Sequence, residues 1–312
     1  MIETVAQVLR RRRLTGQTSA EDGCRVALVA EGGAMRGVFA GGMVSALEAE
    51  GYTSCFDLMV GASAGACALA YLRAGQARFG TRMFYEDLNT GVFFRPRRML
   101  AGGPVLSIDY LVDRVFAVIK QLDIGALNAP GATLYVTGTD IDRVETVDFN
   151  LSDYPGRTLD ILRATARMPL VSEAPVHLDR RRLLDGALLS PLPTDRAISY
   201  GATHVLALLT RQPYSRQIDR ASFAERQFAH RFIALRYGRK LAQEITRQRQ
   251  NYGAVYRELV ALEQITVSGA VVAAVAPSGA APRVHRTSQN TRLLRAGADH
   301  GYRRMQEYLG TA

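Results

Sequence analysis

Lysine is almost missing from this chain of 312 residues: only Lys120 and Lys240 occur, so 37 of its 39 basic residues are arginine. Cysteine is scarce as well. Cys24, Cys55 and Cys67 form an odd set without metal-ligand spacing, which argues against a disulfide framework and a structural zinc site and for reduced thiols in a reducing compartment. No stretch approaches about eighteen uninterrupted apolar residues, so no membrane-spanning helix is expected. The opening residues also lack the apolar core of a signal peptide, because they run straight into Arg10, Arg11, Arg12 and Arg13. No repeat with a period of about 20 to 50 residues is visible, which excludes a solenoid or propeller. What remains is 47% apolar and 22% charged with a net charge of +10, a composition that rules out disorder across the whole chain. One sizeable core plus an extension is expected, in a cytoplasmic protein that meets a membrane only from outside.

The order of elements is informative. Residues 1–25 carry a short helical pattern and the basic run, and read as a loosely held leader. Residues 26–30 form an apolar strand ending in Glu31-Gly32-Gly33-Ala34-Met35-Arg36-Gly37, followed by a small-residue helix over 38–47. The syntax then repeats, with a strand over 56–60, the turn Gly61-Ala62-Ser63-Ala64-Gly65 and a helix over 66–73. Two successive strand-turn-helix units imply parallel strands in a buried sheet. Further strands are expected at 134–137 and 204–209, and a helix at 159–167 stopped by Pro169. Residues 222–262 read as helical, with stripes at Phe228, Phe232, Leu235 and at Tyr252, Val255, Tyr256, Leu259. An apolar strand over 270–276 and a final helix over 293–309 close the chain.

The turn Gly61 to Gly65 has the G-x-S-x-G form of a nucleophile elbow, in which a strained strand-to-helix turn lifts the Ser63 hydroxyl above the sheet. Gly32 to Gly37 has the frame of a phosphate loop, but Val38 and Phe39 follow where Lys and Ser or Thr would stand, so the nucleotide reading fails. A row of free amides at a helix N-terminus beside Arg36 is left, suited to holding an anion such as a tetrahedral oxygen. A base must take the serine proton. His177, His204, His230, His285 and His300 all lack a convincing setting for that role. Asp185 has a better one, after Leu183-Leu184 and before Gly186-Ala187 at the end of an apolar hairpin strand, where partial desolvation raises basicity.

Together these residues resemble the patatin-like phospholipase family. Thr137-Gly138-Thr139-Asp140 and the stretch Arg163-Ala164-Thr165-Ala166-Arg167-Met168-Pro169 extend the likeness, which covers roughly residues 26–210. The resemblance implies a three-layer α/β/α fold with a mostly parallel central sheet, divided into a leader (1–25), a catalytic core (26–212) and a C-terminal helical extension (213–312). It implies a lipolytic acyl hydrolase with Ser63 as nucleophile and Asp185 as base, requiring no metal or cofactor. The amides of Gly32, Gly33 and Ala34, helped by Arg36 within the turn closed by Gly37, would hold the oxyanion, and Gly61, Gly65 and Gly186 would support the turns. Two positions depart from the family pattern: Glu31 replaces an aspartate, and Ala34 replaces a third glycine. Ala34 matters only if its φ is positive.

Two other readings stay open. One is a non-enzymatic basic adaptor on anionic lipid or nucleic acid, although aromatic residues are not interleaved with the arginines as a stacking platform needs, so no nucleic-acid partner is expected. The other is a Ser-His-Asp hydrolase. The arginine-rich leader and residues 211–257, with a charge of +8, suggest peripheral contact with an anionic membrane. Residues 79–104, which contain Phe93, Phe94, Arg95, Arg97 and Arg98, read either as a lid or, by a slight preference, as a helix-loop on the sheet edge. The aromatic stripe of 222–262 is a candidate dimer face.

Overall fold

A computed structural model describes residues 3–212 and 223–311 of the chain. Nine strands form one sheet among the described residues: β1 (Val26–Ala30), β2 (Leu58–Gly61), β3 (Thr133–Asp140), β4 (Glu145–Asn150), β5 (Val176–Leu178), β6 (Arg181–Asp185), β7 (His204–Leu208), β8 (Gln264–Val267) and β9 (Ala270–Val275). Their order is β5-β6-β3-β2-β1-β7-β9-β8, with β4 on β3. The five middle strands, β3 to β9 in that order, run parallel, and antiparallel strands close both sides.

The central strand β1 is the run Val-Ala-Leu-Val-Ala, buried at every position, as a parallel strand covered on both faces requires. Val26, Leu28 and Ala30 face a core shared with the helices Gly37–Ala49, Ala64–Arg73 and Thr291–Leu309. Ala27 and Val29 face a second core with Tyr252, Tyr256 and Leu259 of the helix Arg239–Leu262. Three layers result, in an α/β/α arrangement.

The leader is not loosely held. Its helix Val5–Thr15 buries Val5, Val8 and Leu9 completely, and Arg12 is bonded to Asp22, Asp57 and the carbonyls of Cys24 and Cys55. Arg10 reaches the Leu309 carbonyl, Arg11 reaches Glu3 and Asp22, and Arg13 reaches the Glu50 carbonyl. The basic run therefore clamps both ends of the chain to the core. Its partners lie up to 299 positions away, beyond the range of any local sequence pattern.

The last 40 residues are equally integral. β9 continues the parallel sheet beside β7, and the final helix lies against Gly37–Ala49 so closely that a Cβ at Gly301 would fall 2.1 Å from the Phe39 carbonyl oxygen.

The helical segment breaks at Gly238 (φ 102°) into Phe223–Tyr237 and Arg239–Leu262. Of the first expected stripe, Phe228 and Leu235 are exposed, and Ile233 turns inward instead to meet Leu184, Leu188 and Leu241. In the second stripe Tyr252, Tyr256 and Leu259 are buried, and Val255 faces solvent. Part of the basic segment, including Arg216, Asp219 and Arg220, lies outside the described residues.

Candidate active site

Sheet register brings Ser63 and Asp185 together. β2 runs beside β3 as far as the pair Gly61–Val136, while β3 continues four residues further to Asp140. β4 occupies the opposite edge of β3 over its whole second half, so the edge that β2 vacates is taken by β6, which pairs Gly138 with Asp185. Two residues beyond Gly61 the extension of β2 also reaches the level of Gly138, and that residue is Ser63. The Ser63 hydroxyl accordingly donates to Asp185 Oδ2 at 2.8 Å across 122 positions of sequence.

Ser63 sits at φ 53° and ψ −130°, a strained conformation for a residue with a Cβ, at the N-terminus of the helix Ala64–Arg73. Its turn leaves no room for side chains on either flank. A Cβ at Gly65 would fall 2.4 Å from the Ala30 carbonyl oxygen, and one at Gly61 would fall 2.6 Å from the Ala66 Cα. The Ser63 amide donates to Thr165 Oγ1 at 2.8 Å, which fixes the strained turn from the neighbouring helix Thr158–Thr165.

Asp185 is 1% exposed. Its second oxygen, Oδ1, accepts from the Ala187 amide at 2.8 Å, its own amide donates to the Arg167 carbonyl, and its carbonyl accepts from Thr139 Oγ1. Gly186 is required here because a Cβ would meet the Thr137 carbonyl at 2.2 Å. Burial pushes the carboxyl pKa up to about 6, opposed by the hydrogen bonds from Ser63 and Ala187 and by the charge of Arg286.

The glycine-rich loop lies over the hydroxyl. Gly32 is wedged between Ser63 and Ala187, where a Cβ would come 3.1 Å and 2.8 Å from their Cβ atoms. The expectation that Gly32 donates to an oxyanion is corrected, because its amide is already bonded to the Pro191 carbonyl. The Met35 amide is taken by the Arg286 carbonyl, and the Arg36 amide by Gly33. Gly33 and Ala34 are the loop residues whose amides have no acceptor among the described residues. Ala34 has φ 50°, so the alanine that replaces the family glycine does occupy the left-handed region, at about 1–2 kcal/mol. Gly37 packs on the elbow helix, its would-be Cβ 2.6 Å from the Ala64 Cβ.

Glu31 is fully buried at the head of this loop. It accepts from the Thr210 amide and hydroxyl, from Tyr252 and from Arg211 Nε at 3.0 Å. Burial alone would raise its pKa, but Arg211, Arg36 and the Thr210 amide hold it below the usual carboxylate value. The extra methylene relative to aspartate is thus used to reach the segment after β7 and the helix Arg239–Leu262.

An apolar pocket of about 50 Å³ opens beside Ser63, lined by Ala34, Cys67, Phe84, Leu88, Phe93 and Leu106 among others. Phe93 belongs to the segment 79–104, which packs on the core through Phe93 and bridges Phe94 to Leu106, while Met99 and Leu100 face solvent. The side chains of the five histidines make no hydrogen bond with Ser63 or Asp185. His204 lies at the start of β7, at the opposite end of the sheet, held by Thr203 and the Glu3 carbonyl, and His300 contacts Ser278. Sequence reasoning missed Thr165, Thr210, Arg211 and Tyr252 as supports of the site. Only Thr165 carried a signal, through its place in the stretch 163–169.

A family model described as patatin-like phospholipase matches residues 28–198. The uncharacterized protein YjjU of Escherichia coli strain K12 is 28% identical over 188 residues, which cover 60% of this chain and 52% of that protein. This chain thus aligns with about half of that relative's length. Among solved structures, VipD from Legionella pneumophila gives a TM-score of 0.49 at 13% identity, covering 92% of this chain and 67% of that one. Human GIVD cytosolic phospholipase A2 gives 0.39 at 11% identity, covering 99% and 63%.

Proposed function

The chain belongs to the patatin-like phospholipase family, and we propose from that premise and the geometry of the site that it is a serine lipolytic acyl hydrolase working through a Ser63–Asp185 dyad. The observation that carries this reading is the 2.8 Å hydrogen bond between the two side chains. Asp185 accepts the Ser63 proton as Oγ attacks the ester carbonyl carbon. The amides of Gly33 and Ala34 hold the resulting oxyanion. Collapse breaks the bond to the leaving oxygen, which takes the proton back from Asp185, and the acyl group stays on Ser63. Water, deprotonated by Asp185, then attacks the acyl-enzyme and releases the acid. The apolar lining of the pocket beside Ser63 suits an acyl chain.

The segment that carries Phe93 also supports peripheral contact with an anionic membrane. Exposed Val92, Met99 and Leu100 are interspersed with exposed Arg95 and Arg97. The leader is a poorer candidate because its arginines are bonded within the protein. No described helix is long and apolar enough to cross a membrane.

Labelling with a fluorophosphonate probe tests the hydrolase reading. Wild type is expected to be labelled on Ser63 and Ser63→Ala to remain unlabelled. A folded wild type that stays unlabelled and hydrolyses no ester overturns it.

A further inference from the structure

The chain beyond residue 198 brings charge to the site that the acyl chemistry does not use. Arg211 follows β7, Arg249 lies on the helix Arg239–Leu262, and Arg286 lies on the loop before the final helix. Arg36 joins them from the glycine-rich loop. The Met35 amide bonds the Arg286 carbonyl at 3.3 Å, so the two loops are tied together. Glu31 pairs with Arg211, whose guanidinium also lies 4.7 Å over the Tyr252 ring.

The other three guanidiniums have no ion-pair partner among the described residues. Arg36 Nε and Nη2 are buried without a hydrogen-bond partner among the described residues. Neither Arg249 nor Arg286 has an ion-pair partner there, although Glu31 and Asp185 both feel the Arg286 charge. Arg249 and Arg286 keep their side chains open to solvent, yet crowding by protein lowers the pKa of both, and neighbouring arginine charges lower them further. Burial likewise brings Arg36 down to about 10. An unpaired buried polar group such as the Arg36 guanidinium is costly unless something bonds it.

We propose that Arg36, Arg211, Arg249 and Arg286 form a receptor for a phosphate-type anion at the mouth of the Ser63 site, built largely by segments outside the family match. A phosphate offers several oxygens to several guanidinium forks at once, whereas one carboxylate already occupies the only paired arginine. The anion is either the headgroup phosphate of an ester bound at Ser63, in which case the inference rests on the hydrolase reading, or free phosphate.

Two measurements on the full chain separate these sources and keep the site independent of the hydrolase reading. Inorganic phosphate is expected to raise the melting temperature of wild type above a chloride control of equal ionic strength, and to lose this effect in Arg249→Gln and Arg286→Gln. Phosphodiester-bearing and neutral esters of one acyl chain are then compared. A wild-type preference in kcat/KM for the phosphodiester ester that falls about tenfold in either variant assigns the site to a headgroup. A phosphate-induced thermal shift without such a preference assigns it to free anion. Absence of both effects overturns the receptor, even if Ser63 is labelled by the probe and neutral esters are hydrolysed.

Discussion

The Tyr252 hydroxyl donates to the Glu31 carboxylate at 2.7 Å, joining residues 221 positions apart. The helix Arg239–Leu262 therefore supports the head of the glycine-rich loop directly. Tyr252→Phe removes one bond to a buried charge and is expected to cost about 1.5–3 kcal/mol in denaturant unfolding. Glu31→Gln leaves Arg211 without its counter-charge and is expected to cost about 3–5 kcal/mol. Glu31→Asp, although it restores the family residue, should also destabilise, because the shorter side chain cannot span Thr210 and Tyr252 together.

Asp185→Asn removes the proposed base. Turnover is expected to fall about 10²–10⁴-fold, while no single replacement of a histidine by alanine abolishes it. A base must be unprotonated to work, and burial sets the Asp185 pKa near 6. In wild type kcat/KM should therefore be flat above pH 6 and fall about tenfold per unit below it. The stability effect has the opposite sense. A carboxyl whose pKa is raised on folding binds its proton more tightly in the folded state, so this group weakens the fold as pH rises from about 4 to 6. Asp185→Asn should remove that contribution from the pH dependence of the melting temperature.

Ala34→Gly relieves about 1–2 kcal/mol of left-handed strain and adds about 0.4–1 kcal/mol of unfolded-chain entropy. A small net stabilisation, on the order of 0.5–1 kcal/mol, is expected from equilibrium unfolding. Lower stability in the glycine variant would mean that the loop does not carry this strain.

Leu100, on the segment that carries Phe93, is 92% exposed. Leu100→Asp is expected to leave the melting temperature unchanged and to reduce co-sedimentation with vesicles containing anionic lipid, since it removes an inserting group and adds repulsion. Equal binding by the variant would move membrane contact away from this segment.

The Ser63–Asp185 pair was legible in the sequence for a local reason. Ser63 comes two residues after the apolar strand β2 between Gly61 and Gly65, and Asp185 ends β6 after Leu183-Leu184 and before Gly186, glycines that close backbone approach requires. The supports of the loop were not legible, because Thr210 and Tyr252 carry no local signature and meet Glu31 only through the fold. The same holds for the leader, whose arginine run looks like a solvated basic patch until Asp22 and Asp57 are seen around Arg12. The glycine-rich loop was legible as a whole but not amide by amide, since Pro191, which takes the Gly32 donor, reaches it from the loop after β6. The strands β4, β5 and β8 were missed as well; β5 and β8 are only three and four residues long, and none of the three has every position buried.

The takeover of β3's edge by β6 makes the carboxylate's position a matter of counting along a ladder. Neighbouring side chains on a strand point to opposite faces, so losing Leu184 would set the acid opposite Thr139 on the other face and leave Gly186 opposite Gly138, with no carboxylate beside the hydroxyl. Changes to the surrounding loops can retune which molecules are accepted, whereas a frame slip in this short strand would silence the protein in a single step.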